Sequence, residues 1–169
     1  FDIACLEIYL PLMVGGRVVM VGSGEEKEVE KLKELSLKVE VMQATPATWR
    51  MMMQGGWEGR KGLKILCGGE AMSREMGEGL LKRSETVWNL YGPTETTVWS
   101  SVWRVRSGWR GETMPLGRPI GNTTMHVLDS RMEVVPAGVG GELWIGGEGL
   151  ARGYWGDEEK TRERFVESR

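Results

Sequence analysis

V-E-V-M-Q-A-T-P-A-T-W-R, Val39 to Arg50, changes its periodicity midway. The short apolar run Val39 to Gln43 has the length of a buried strand. Thr45 then offers a side-chain oxygen to cap a helix, and Pro46 suits the first helical turn, where its missing N–H costs nothing. The pair predicts a helix reaching about Gln54, and the stretch as a whole reads as strand, loop, helix. The same alternation extends outward in both directions. Upstream, an apolar run at Arg17 to Val21 predicts a strand, and Glu25 to Leu37 predicts a helix whose Val29, Leu32 and Leu35 to Leu37 share a face. Downstream, Leu63 to Cys67 predicts a third strand, Ser73 to Arg83 a helix, and Thr86 to Leu90 a fourth strand. Strands alternating with helices predict a parallel sheet joined by right-handed crossovers, an α/β architecture.

After about Trp103 the texture changes. Short strand candidates are punctuated by Gly and Pro: M-P-L-G-R-P, M-H-V-L-D, V-V-P-A-G-V-G-G and E-L-W-I-G-G. The expected division is therefore an α/β unit over residues 1–103, followed over residues 104–169 by a small antiparallel, β-barrel-like unit ending in a helix capped by Asp157. The 169 residues bury a sizeable core. Lys and Arg total 22 against 24 Asp and Glu, with no long block of either sign, so charge points to neither nucleic acid nor a membrane surface. No run of about 18 apolar residues predicts a membrane span, and no basic-then-apolar leader opens the chain. Cys5 and Cys67 lack metal-ligand spacing and fit reduced thiols in a cytoplasmic protein. The single histidine, His126, lies in an alternating strand pattern and receives no role. M-M-M at 51 to 53 fits helix packing rather than a cofactor contact.

In a parallel sheet, ligands gather at the carboxyl ends of the strands. Three loops fall on that edge: Q-A-T-P-A, C-G-G-E-A and Y-G-P-T-E. Gly68 and Gly69 allow close backbone approach, Thr45 and Thr94 carry hydroxyls, and Glu70 and Glu95 carry carboxylates. Together they suit a phosphorylated ligand with a metal ion. Taken singly, G-G-E also fits a turn before a helix, and Thr45-Pro46 a plain helix start.

N-L-Y-G-P-T-E-T-T (Asn89 to Thr97), preceded by L-C-G-G-E-A and followed by G-E-L-W-I-G-G-E-G-L-A-R-G-Y-W, resembles the adenylation domain of nonribosomal peptide synthetases, within the adenylate-forming enzymes. F-D-I-A-C-L-E-I-Y-L-P-L resembles the segment that opens the family's amino-acid pocket. The resemblance implies that an amino acid and Mg-ATP react to give aminoacyl-AMP and pyrophosphate, followed by transfer to the phosphopantetheine thiol of a carrier domain. It also implies peptidyl carrier and condensation domains as partners in one assembly line. By the same resemblance Tyr91 lies against the adenine, Asn89 near its amino group, and Thr94 beside the α-phosphate. Gly68, Gly69, Glu70 and Gly92 border the nucleotide, and Glu95 coordinates Mg²⁺; Thr94 and Glu95 are the catalytic candidates. The family's Gly- and Ser/Thr-rich phosphate loop, ribose-binding Asp and C-terminal Lys have no match here, so the chain is expected to be an internal portion, inactive alone.

The resemblance further implies an amino-acid pocket of Asp2, Ile3, Leu6, Gln43, Leu66, Gly68, Leu90, Val98 and Trp99. Asp2 sits where members hold an aspartate against the substrate ammonium, a charge-assisted contact. The remaining members offer no charged partner for a side chain, and Leu6, Leu90 and Trp99 are bulky. The combination resembles the pattern associated with glycine, with alanine the nearest competitor, since one methyl is worth only about 1–3 kcal/mol. An acyl- or aryl-CoA ligase sharing the Tyr-Gly-x-Thr-Glu loop, and a non-catalytic nucleotide-binding or carrier-docking module, are the alternatives. Asp2 and Leu6 also fit an ordinary helix start, with Asp2 as its cap.

Overall fold

A computed structural model describes residues 2–167. The stretch Val39 to Arg50 folds as its periodicities predict: β1 spans Val41–Ala44, and a helix spans Pro46–Gln54, with Thr45 Oγ1 accepting the N–H of Thr48. In chain order the helices are α1 Ala4–Met13, α2 Val29–Ser36, α3 Pro46–Gln54, α4 Arg74–Leu81 and α5 Glu158–Arg164. The strands after β1 are β2 Lys64–Gly68, β3 Thr86–Tyr91, β4 Ser101–Arg104, β5 Arg118–Pro119, β6 Thr123–Leu128 and β7 Glu142–Gly147.

One sheet runs β1-β2-β3-β4-β5, with β1, β2 and β3 parallel and β4 and β5 antiparallel to their neighbours. The helices α3 and α4 are the crossovers between the parallel strands. Side chains alternate across these strands, and the alternation separates structure from site. Leu63, Ile65 and Cys67, all fully buried, face a core shared with Trp49 and Met52 of α3, Met76 and Leu80 of α4, and Val87 of β3. Met51 and Met53 pack against that core, the packing role expected of the Met run. Leu66 and Gly68 point the opposite way, and the register sets Gln43 beside Leu66 and Gly68 beside Leu90. Four of the residues named for the amino-acid pocket thus occupy one sheet face.

Arg17 to Val21 is not a strand. Its Val18 and Val19 line a cavity alongside Val39 and Val41, and Met20 is 76 % exposed. An apolar run becomes a strand only where a neighbouring strand accepts its backbone hydrogen bonds, and no described strand lies against this one. The second half is also simpler than a barrel. Among the described residues β6 and β7 form a two-stranded antiparallel sheet and no closed barrel exists. Residues 134–141 supply turns, tied back by a bridge between Leu128 and Val134. β5 joins the large sheet, and Val105 and Met114 enter its core. Asp157 caps α5, accepting the Lys160 N–H at 3.0 Å. His126 is exposed on β6, opposite Trp144. Cys5 is an exposed free thiol and Cys67 a buried one. No described helix is long and apolar enough to cross a membrane.

Candidate active site

The carboxyl edge of β1 to β3 carries the loops expected there, and they make two adjoining regions. The first is a recess of about 400 Å³. Gly69, Glu70, Asn89, Leu90, Tyr91 and Gly92 line it, so most of the residues assigned to a nucleotide come together. Asn89 is buried, and its amide Nδ2 donates to the carbonyl of Pro115 at 2.8 Å, leaving its carbonyl oxygen to accept. Ala71, Met72, Thr113, Met114 and Leu116 complete the lining. Of these, Met72, Thr113, Met114 and Leu116 carry no site signal in the sequence, where M-P-L-G-R-P reads only as strand texture.

Pro93 closes the recess, and the chain turns through a short 3₁₀ segment, Thr94–Thr96. Thr94 is exposed at its start. Glu95 is half-buried, and its carboxylate accepts a hydrogen bond from the Tyr154 hydroxyl. That bond, aided by a backbone hydrogen bond and by the charges of Arg164 and Lys160, holds the Glu95 carboxyl below the usual carboxylate range. Among the described residues no three of His, Cys, Asp or Glu gather as a metal cage. A single carboxylate on the turn that follows the recess suits Mg²⁺, which takes most of its oxygens from phosphate and water.

The second region lies on the opposite flank of the same loop. After the 3₁₀ turn, Thr97 and Val98 take φ values of 57° and 66°. Left-handed backbone at a β-branched residue costs about 1–3 kcal/mol and persists only where surrounding contacts hold it. Here one contact is visible: the Val98 N–H donates to Asp2 Oδ2 at 3.1 Å. Ile3, not Asp2, is the N-cap of α1, and no side chain caps that helix, so Asp2 is not serving as a cap. One carboxylate oxygen of Asp2 is held by Val98, leaving the other able to accept.

The same kink drives Trp99 across the sheet face. Its Nε1 donates to Gln43 Oε1 at 3.2 Å, and Gln43 Nε2 donates to the Ile3 carbonyl at 2.9 Å. Trp99 lies over Gly68, where a Cβ would approach the Trp99 ring and the Leu90 carbonyl oxygen to 2.5 Å. Gly92 is equally constrained, since a Cβ there would lie 2.6 Å from Trp99 Cα. Asp2, Ile3, Gln43, Gly68, Leu90, Val98 and Trp99 thus form one packed group. Leu6 and Leu66, with Gln43, line a cavity of about 650 Å³ beneath α1, together with Glu7. Desolvation there raises the Glu7 carboxyl above its ordinary range, partly offset by a hydrogen bond with Gln43. Glu7 was not singled out from sequence, and its position one residue after Leu6 gave no signal for it.

Residues 1–155 match the family model described as AMP-binding enzyme. Over 168 residues the chain is 42 % identical to a dimodular nonribosomal peptide synthase of Bacillus subtilis (strain 168), covering 98 % of this chain and 7 % of that protein. It is 43 % identical over 169 residues to the PKS-NRPS hybrid synthetase acdB of Aspergillus candidus, with the same two coverages, 98 % and 7 %. Among solved structures, a four-domain nonribosomal peptide synthetase bound to AMP and glycine superposes with a TM-score of 0.93 at 44 % identity, over 99 % of this chain and 13 % of that one. A Vibrio cholerae adenylation domain, AlmE, shares the fold at a TM-score of 0.87 and 22 % identity, over 99 % of this chain and 34 % of that one. The chain therefore spans a small fraction of the curated relatives it matches.

Proposed function

Because the chain belongs to the AMP-binding enzyme family, and resembles the nonribosomal peptide synthetase adenylation domains within it, we propose that it forms part of an amino-acid-activating adenylation domain, with glycine as substrate. In that reaction the amino-acid carboxylate attacks the α-phosphorus of ATP, the bond to pyrophosphate breaks, and aminoacyl-AMP forms. The phosphopantetheine thiol of a carrier domain then takes the aminoacyl group as a thioester and AMP leaves. Peptidyl carrier and condensation domains are the proposed partners, in a cytoplasmic assembly line. The proposed division of labour gives residues 1–103 the pocket and the Y-G-P-T-E loop, and residues 104–169 a supporting β-rich unit.

One observation carries the reading: Asp2 reaches across 96 positions to the Val98 N–H, beside Trp99 and Gly68. A carboxylate fixed by one oxygen next to a space closed by an indole suits an ammonium group bearing no side chain. The glycine found with the four-domain synthetase supports the same substrate. Tyr91 would stack on the adenine, with the Asn89 carbonyl oxygen accepting from its amino group. Thr94 would donate to the α-phosphate, and Glu95 would hold the cation. Bound Mg²⁺ would offset the charge on phosphate as pyrophosphate departs.

The test is to graft residues 1–103 into a complete adenylation domain of different specificity and measure ATP–pyrophosphate exchange with a panel of amino acids. Glycine-selective exchange is expected. Exchange selective for another amino acid would sink the glycine assignment. A folded, ATP-binding chimera that activates no amino acid would favour the CoA-ligase or non-catalytic alternatives. The isolated chain is expected to show no exchange.

A further inference from the structure

The hydroxyl of Tyr154 donates to Glu95 Oε1 from 59 positions away, and the residues between 149 and 165 are arranged around that contact. The Ala151 N–H donates to the backbone carbonyl of Glu95 at 2.8 Å, docking the segment onto the 3₁₀ turn. The Tyr154 N–H donates to Thr161 Oγ1 at 2.9 Å, fastening the tyrosine to α5. Its ring meets Phe165 edge-on, with centroids 5.8 Å apart at 76°, and Lys160 Nζ lies 4.5 Å from the ring centroid. The phenol is thus fixed in height, tilt and direction before it reaches the carboxylate.

We infer that Tyr154 is a positioning residue for the divalent cation: it ties one oxygen of the Glu95 carboxylate and presents the other to the metal. This rests on the proposed role of Glu95 as cation ligand. A carboxylate at the tip of a short turn rotates freely unless a second partner fixes it. Partners of this kind, outside the ligand shell, typically contribute 10- to 100-fold in metal affinity. The phenol is suited to the task because it donates a hydrogen bond and carries no charge to repel the cation.

The experiment uses a complete adenylation domain carrying residues 1–169, in excess over ATP so that free ATP chelates little metal, with Mn²⁺ as the spectroscopic probe and electron paramagnetic resonance to count free metal. Three proteins are compared: the unaltered chain, Glu95→Gln and Tyr154→Phe. Tyr154→Phe keeps the ring against Phe165 and Lys160 and removes only the hydroxyl, and thermal midpoints verify that all three are folded. We expect Glu95→Gln to abolish the site and Tyr154→Phe to weaken Mn²⁺ affinity about tenfold, with a thermal midpoint close to that of the unaltered chain. Unaltered affinity in Tyr154→Phe, beside loss in Glu95→Gln, would overturn the role of Tyr154 alone. Equal binding by the unaltered chain and Glu95→Gln would overturn the assignment of Glu95 and the inference with it.

Discussion

A methyl group added at Gly68 would lie 2.5 Å from both the Leu90 carbonyl oxygen and the Trp99 ring, contacts that folded proteins do not tolerate without displacement. The Leu90 oxygen belongs to a paired strand, so relieving the contact requires the strand backbone to shift as well as the indole. Gly68→Ala is therefore expected to cost about 1–3 kcal/mol, the usual range for overpacking, measured as a lowered denaturant midpoint at unchanged slope. An unshifted midpoint would mean that both the Leu90 backbone and Trp99 yield at Gly68, which would remove the steric basis for a small substrate. Trp99 is held by a partner chosen for geometry: Gln43 uses its carbonyl for the indole and its amide for Ile3. In the proposed pocket, Gln43 therefore fixes Trp99 as well as occupying space.

At the scale of elements, helix starts carry local instructions that survive into the fold. Thr45, Ser73 and Asp157 each accept a backbone N–H three residues on, at the heads of α3, α4 and α5. The Thr45 contact is the longest, at 3.4 Å. Thr45 was also a candidate for a ligand hydroxyl, and the geometry assigns it to the helix instead. Thr45→Ala is expected to lower stability by about 1 kcal/mol, as caps generally do, without changing the ligand edge. A thermal melt checks the first half, and ATP binding by the intact grafted domain checks the second. Like α5, α1 has no buried residue; Pro11 sits inside it, and Tyr9, Leu12 and Met13 are more than half exposed. Its position is held by the contacts of Asp2 and Ile3 described above, at its first turn.

Across the whole molecule, the buried core carries a pH dependence of its own. Desolvation, with the Glu70 charge adding to it, pushes the Cys67 thiol up from an ordinary 9.0 to about 12. Below about pH 9 the thiol is protonated whether folded or not, and stability does not depend on it. Between 9 and 12 the unfolded chain sheds that proton while the folded chain keeps it, so stability falls as pH rises, by at most about 1.4 kcal/mol per unit. Denaturant midpoints compared at pH 8 and pH 10.5 should fall less in Cys67→Ala than in the unaltered chain; parallel declines would refute the assignment. The sequence by itself determined the alternation of strands and helices from Val41 to Tyr91, the Thr45 and Asp157 caps, and the gathering of three loops on one sheet edge. The periodicities and caps act within a few residues, and the shared edge follows from the right-handed crossovers that alternating strands and helices impose. Arg17 to Val21 misled because apolarity allows a strand while only a neighbour's backbone makes one. Tertiary structure alone decided that Asp2 meets Val98, that Gln43 meets Trp99 and that Tyr154 meets Glu95, contacts spanning 96, 56 and 59 positions. Each depends on strand register and on a kink through left-handed backbone or a docked helix, which no local pattern of residues encodes.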